Sequence, residues 1–201
     1  MADMEVKPVV LEGKHVRLEP MTEAHVPALT EIGAGQDFWD FMVYGKMEDE
    51  NDMRDWVREI LARAERGTDL PFVAVHLESG RVAGATRYLN IMPNDRGLEV
   101  GGTWYGLDFQ RTAVNTECKY LLLTHAFEKL GCIRVQIKTD SLNVRSQKAI
   151  ERIGGVKEGV LRNHMILPGG RIRHSIYYSI LDSEWGNVKE RLQKFLREKD
   201  A

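Results

Sequence analysis

The chain has 201 residues, a formal charge of −2 at pH 7, and 43% hydrophobic and 29% charged side chains. That length suits one domain with a substantial core and is marginal for two. Both signs of charge are interspersed, which argues against nucleic acid as the main partner, and no apolar run nears the roughly 20 residues of a membrane helix.

In chain order, His15–Glu19 alternates and reads as a short strand. Thr22–Ile32 reads as a helix with Thr22 as a cap and Pro27 delaying or kinking its start. The stretch Gln36–Tyr44 is aromatic and irregular. Asp52–Arg66 is the clearest helix, with Met53, Trp56, Val57, Ile60, Leu61 and Ala64 on one face and Gly67 at its end. The period then changes to two, giving strands at Pro71–Leu77, Val82–Leu89 and Leu98–Tyr105. A helix from about Asn115 to Leu130, a strand at Arg134–Thr139 and a helix at Asn143–Ile153 follow. Val156–Leu167 and Ile172–Leu181 read as a hairpin, and a last helix carries Val188, Leu192 and Phe195. Meandering strands with a βαβ crossover in the middle predict an α/β (α+β) fold with a mixed, mostly antiparallel sheet.

Several chemistries are disfavoured. Cys118 and Cys132 form no CxxC pair and sit beside apolar residues, so buried free thiols and a reducing cytoplasm are expected. The six His residues form no HExxH or Cys/His cluster, and no metal is expected. Neither a GxSxG elbow nor a GxxxxGK[ST] loop occurs. Residues Met1–Glu5 lack the basic and apolar segments of a secretory signal.

The join between the strand ending at Tyr105 and the next helix is the informative place. It carries Gly106, Gln110, Arg111, Thr112, Ala113, Val114 and Asn115. Free N–H groups at a helix start, with the helix dipole behind them, bind phosphate oxygens. Arg111 adds positive charge, and small residues at Thr112 and Ala113 let the backbone approach a pyrophosphate. An ordinary strand-to-helix turn capped by Asn115 is the alternative.

Gln110-Arg111-Thr112-Ala113-Val114-Asn115 is similar to the phosphate loop Q/R-x-x-G-x-G/A of the GNAT superfamily, with Ala113 and Asn115 in the glycine positions. Leu11–Pro20 resembles the opening strand of the branch that acetylates ribosomal-protein N-termini. Leu98–Tyr105 resembles its fourth strand, and Thr139–Ile150 its N-x-x-S segment. Glu158–Arg162 and Glu184-Trp185 also fit. The resemblance spans about residues 11–195 and implies a single GNAT-like domain over residues 1–201, with fourth and fifth strands that splay apart. It implies acetyl-CoA as co-substrate, its pyrophosphate on Gln110–Asn115, and its pantetheine arm along the backbone of Trp104 and beside Asn143. An unpaired strand edge suits an amide-bearing arm.

The reaction so implied needs a base near the amine and a proton for the leaving thiolate. Glu99 is the first candidate base; in strict alternation it shares a face with Gly101, Thr103 and Tyr105. His164, on the final hairpin, is the second. Ser146 stands where the branch has a Ser near the thiol and is the candidate proton donor. Ile150 stands where many members have Tyr, Met165 where some of the branch have a carboxylate, and Arg173-His174 where close relatives show Arg-Asp. Phe38, Trp39, Phe41 and Tyr44 are expected to wall the amine site. The implied activity is direct acetyl transfer, in a ternary complex, to an amine such as the N-terminus of a ribosomal or other protein or a peptide. A small free amine or amino acid as acceptor, and a non-catalytic acyl-CoA-binding regulatory module, are the alternatives. A monomer or homodimer is expected.

Overall fold

A computed structural model of the protein describes residues 4–200. Eight strands form one sheet in the order β1-β2-β3-β4-β5-β6-β8-β7. They are β1 (Leu11–Glu12), β2 (Val16–Pro20), β3 (Leu70–His76), β4 (Val82–Met92), β5 (Gly97–Tyr105), β6 (Arg134–Asp140), β7 (Val156–Ile166) and β8 (Ile172–Leu181). Only β5 and β6 run parallel among these neighbours. The α-helices are α1 (Val26–Gly33), α2 (Glu50–Glu65), α3 (Val114–Thr124), α4 (Val144–Arg152) and α5 (Asp182–Asp200). This is the element order expected from the sequence with one addition, the two-residue β1. The expected fourth and fifth strands are therefore β5 and β6.

Local chemistry accounts for the helix ends. Pro27 sits in the first turn of α1, where its missing N–H costs nothing, and a short 3-10 turn at Glu23–His25 precedes it. Asp49 caps α2 by accepting from the N–H of Asn51 at 2.7 Å and Asp52 at 3.1 Å. The predicted stripe on α2 is buried through Met53, Trp56, Val57 and Ile60. Helix α3 continues through a π-helical turn, His125–Lys129.

Two apolar clusters lie on opposite faces of the sheet. One joins α3, α4 and α5 to Leu18, Tyr88, Leu98, Val100, Ile137 and Ile180. The other joins α1, α2 and the aromatic segment to Val73, Ala85 and Trp104. Glu117 fastens α3 to the turn before β2: its buried carboxylate accepts the N–H groups of Lys14, His15 and Val16 at 2.9, 2.6 and 2.7 Å. A Cβ at Gly13 would stand 2.4 Å from the Glu117 Cδ, so glycine is needed for this approach.

Strict alternation fails in β5. Ala85 pairs with Trp104 and Arg87 with Gly101, so Gly102 and Thr103 together face Thr86 alone. This is a β-bulge, and Gly102 takes the left-handed conformation, φ 57°, that it needs. The extra residue reverses the faces beyond it. Val100 stays on the α3 side while Trp104 turns to the α2 side. Thr103 and Tyr105 therefore do not share the face of Glu99, as strict alternation had them do.

Candidate active site

Strands β5 and β6 form a fork. They pair only at Gly97–Glu99 with Arg134–Gln136, and residues 100–105 of β5 have no partner on the β6 side. Glu99 is the last paired residue and sits at the apex.

The α3 side of the fork gathers two helix starts. Helix α3 begins at Val114 with Ala113 as its N-cap residue, two residues earlier than Asn115 as a cap would place it. Ala113 offers no capping side chain. Asn115 and Thr116 fall in the first turn, where N–H groups lack intrahelical carbonyls. Thr112 Oγ donates to the Phe109 carbonyl at 2.8 Å and accepts from the Val114 N–H at 3.3 Å, which closes the loop. Arg111 is exposed and has a left-handed backbone, φ 65°. Gln110 spans the fork: it donates to the Tyr105 carbonyl at 2.8 Å and accepts from Arg145 at 2.7 Å. Arg145 belongs to the first turn of α4, so Gln110–Asn115 and Asn143–Ser146 are brought together. Asn143 caps α4 through its Oδ1, which accepts the Ser146 N–H at 3.0 Å. The Ser146 side chain is half-buried and makes no hydrogen bond back to its own helix among the described residues.

The opposite side of the fork is polar. The register puts Gln136, Lys138 and Asp140 of β6 beside Ser179, Tyr177 and Ser175 of β8, on the same face as Glu99. Glu99 is only 2% exposed, and three donors converge on its Oε2: Asn90 at 2.9 Å, Gln136 at 2.8 Å and Lys138 at 3.2 Å. Strand β7 carries two extra residues between Leu161 and Met165, and Asn163 there has φ 50°. This irregularity aims His164 at β8, where its Nδ1 lies 2.9 Å from Ser175 Oγ and its Nε2 3.3 Å from Tyr177 Oη. Burial, reinforced by the positive charges of Lys138 and Arg173, pushes the His164 imidazole below its ordinary value, so the neutral form prevails at pH 7.

The aromatic segment roofs this face. Phe38 is half-buried and stacks on Trp104 with ring centroids 5.5 Å apart. Trp39 is 1% exposed, touches Trp56 and Trp104, and gives its indole N–H to the Gly33 carbonyl at 2.7 Å. It therefore supports the wall from within the core and does not line it. Tyr44 is half-buried and bonded to the Arg87 guanidinium, itself paired with Asp69 at 3.0 Å. Half-buried Phe41 and its neighbour Asp40 offer carbonyls to Arg173 at 3.1 Å and Arg171 at 3.0 Å. The segment thus runs from β5 to the start of β8 above the fork.

A helix start that can take a phosphate, an unpaired strand edge and a polar face thus meet at one fork. Residues 15–156 match the acetyltransferase (GNAT) domain family. The chain belongs to the GNAT acetyltransferases. It is an acyltransferase enzyme, and its fold is that of its structural neighbours. A GCN5-related N-acetyltransferase from Brucella melitensis superimposes with a TM-score of 0.88 at 28% identity, covering 95% of this chain and 86% of that one. Mycobacterium smegmatis RimJ, solved with CoA-disulfide, shares the fold at a TM-score of 0.79 and 19% identity, covering 93% and 94%. "Putative ribosomal N-acetyltransferase YdaF" of Bacillus subtilis (strain 168) is 32% identical over 114 residues. That match takes in 56% of this chain and 61% of the relative, so it spans about three-fifths of the relative's length.

Three polar residues beside this candidate site were not singled out from the sequence. Lys138 and Tyr177 lie on strands whose alternation was legible, but their meeting with Glu99 depends on strand order, which alternation does not give. Lys119 is the third: it is buried on α3 with its amine 2.9 Å from Thr103 Oγ, and burial pulls it down to about 8. It sits in an apolar helical stretch, and its isolation there was the available signal. Ile150 and Met165, the two departures from family pattern, differ in setting: Ile150 is core and Met165 is half-buried on β7.

Proposed function

We propose that this GNAT enzyme moves acetyl from acetyl-CoA to a primary amine, and that its acceptor is the N-terminal α-amine of a protein or peptide. The fork carries this reading, because its two sides differ in chemistry. Acetyl-CoA enters from the α3 side. Gln110–Asn115 hold the pyrophosphate at the helix start, with Arg111 and Arg145 beside it. The arm runs along the free edge of β5 past Trp104, with Asn143 against it, and Ser146 donates a hydrogen bond toward the departing sulfur. The CoA-disulfide named with the RimJ structure supports this cofactor.

The acceptor approaches from the polar face, under the Phe38 and Tyr44 roof. His164 takes the proton that the amine loses. The Glu99 Oε2 already receives three hydrogen bonds, one of them from an ammonium; its role is to anchor Lys138 at the apex. An α-amine has a pKa near about 8 and is partly neutral at pH 7, whereas a Lys amine near about 10.4 is almost wholly charged. A weak base therefore suffices. The name of the B. subtilis relative supports a ribosomal-protein terminus as one such acceptor.

Initial rates of thiol release with acetyl-CoA and an Ala- or Ser-initiated peptide test this. Intersecting lines in double-reciprocal plots, and the added mass of one acetyl group on the peptide N-terminus, are expected. No thiol release with any amine overturns the reading.

A further inference from the structure

One chain of contacts on the acceptor face has no part in the scheme above, though it touches the base in it. Arg173 Nε donates to Ser175 Oγ at 2.9 Å, and arginine has no acceptor, so the direction of that bond is fixed. Ser175 Oγ keeps one lone pair and its own O–H, 2.9 Å from His164 Nδ1, and the relay uses the tautomer whose Nδ1–H donates to that lone pair. When Nδ1–H fills it, Nε2 is left bare and faces the Tyr177 hydroxyl at 3.3 Å. Tyr177 is half-buried on β8, directly across from Lys138 of β6, the first residue of this face beyond the fork's apex. Adjacent strands lie about 5 Å apart, so the phenol stands one strand from the cleft while His164, on β7, stands two. The imidazole is thus set back from the cleft, with the phenol between.

We propose that Tyr177 is a further catalytic residue, carrying the proton of the acceptor amine to His164. The proposal rests on the acetyltransferase reading above. As nitrogen bonds to the thioester carbon, its N–H bond breaks and a new O–H bond forms on Tyr177. The original phenolic hydrogen passes to Nε2, so Tyr177 ends as it began and His164 becomes an imidazolium. The carbon–sulfur bond then breaks, the thiolate takes the proton offered at Ser146, and Ser146 and the imidazolium re-equilibrate with solvent. The nitrogen loses its proton after attack has begun, when it is far more acidic than the parent ammonium, so a depressed imidazole is strong enough. Lys138 of β6 and Arg173 of β8 favour return of the proton to solvent, and Glu99 of β5 opposes it. Burial and the Glu99 charge keep the Tyr177 phenol protonated.

The test compares Tyr177→Phe, His164→Gln and the double variant in the intact protein, with acetyl-CoA and a peptide amine. Tyr177→Phe is expected to lower kcat about tenfold to a hundredfold, with acetyl-CoA KM and the melting midpoint unchanged. The wild-type rate is expected to rise through an apparent pKa below 6.5, the ordinary imidazole value, and that limb is expected to vanish in both Tyr177→Phe and His164→Gln. The double variant should be no slower than the slower single one, because both act on one proton. Wild-type kcat in Tyr177→Phe overturns the relay, and so do losses that multiply in the double variant. Parallel losses in kcat, KM and stability overturn it in favour of a structural bond. Wild-type protein that acetylates no amine refutes the acetyltransferase reading itself, which the variants alone cannot do.

Discussion

Val100 and Trp104 lie four residues apart on one strand and face opposite sides of the sheet. The Gly102 bulge causes this, and it puts Trp104 under the acceptor roof while Leu98 and Val100 stay in the α3 core. Gly102 has φ 57°, and a Cβ there would stand 3.0 Å from the buried Arg87 guanidinium carbon. Gly102→Ala should therefore cost about 1–3 kcal/mol in chemical denaturation and lower turnover, since the bulge positions the fork. Unchanged stability would mean that the strand can slip into plain alternation.

The loop before α3 should bind the cofactor's phosphates by charge and by its free amides. Arg111→Glu should weaken acetyl-CoA at least about tenfold by calorimetry, a charge reversal within reach of a polyanion. Gln110→Ala, which releases both the Tyr105 carbonyl and Arg145, should weaken it less. Equal affinity in all three proteins would remove the loop from the cofactor site.

Lys119 is a buried cation held by one hydroxyl. The unfolded chain keeps its proton to about 10.5, while the folded chain releases it near about 8. Between those values the unfolded state binds more protons, so stability rises with pH from about 8 to about 10.5 and is lowest below about 8. Lys119→Met should raise the stability at pH 7 by up to about 3 kcal/mol and flatten that rise. A destabilised Lys119→Met with the pH slope intact would contradict this.

Direct transfer is what the state of the thiols predicts. Burial pushes Cys118 up to about 12 and Cys132 up to about 11, so neither supplies a thiolate at neutral pH. Cys118→Ala and Cys132→Ala should retain turnover within about threefold, and mass spectrometry of the wild-type protein with acetyl-CoA alone should show no acetyl-thioester on either. An acetylated cysteine that forwards its acetyl group to the amine would replace the ternary complex with a two-step route.

The elements of this fold were legible because apolar periodicity marks them: the α2 stripe from Met53 to Ile60 and the strands after Pro71 each carry their own signal. The helix-start side of the candidate site was legible for a related reason. Gln110–Asn115 and Asn143–Ser146 are contiguous segments at helix starts, and local sequence fixes a helix start. The acceptor side was not. Glu99, Lys138, His164 and Tyr177 come from four strands and meet only because β8 lies between β6 and β7. Two irregularities then decide who faces whom, the bulge at Gly102 and the extra residues around Asn163, and each overrides the period-two rule. Trp39 shows the same limit: an aromatic segment announces a pocket wall, but which ring is lining and which is core depends on the Gly33 carbonyl that takes the indole N–H.

The central claim is that the polar face of the fork accepts an N-terminal α-amine. Competition measures it most directly: one reaction holding acetyl-CoA, an Ala- or Ser-initiated peptide, and a mixture of polyamines, free amino acids and an aminoglycoside, with each product identified by mass. The account predicts acetyl on the peptide N-terminus and peptide inhibition of any slower reaction with the small amines. Turnover of a small amine alone, with peptides that neither react nor inhibit, would contradict it.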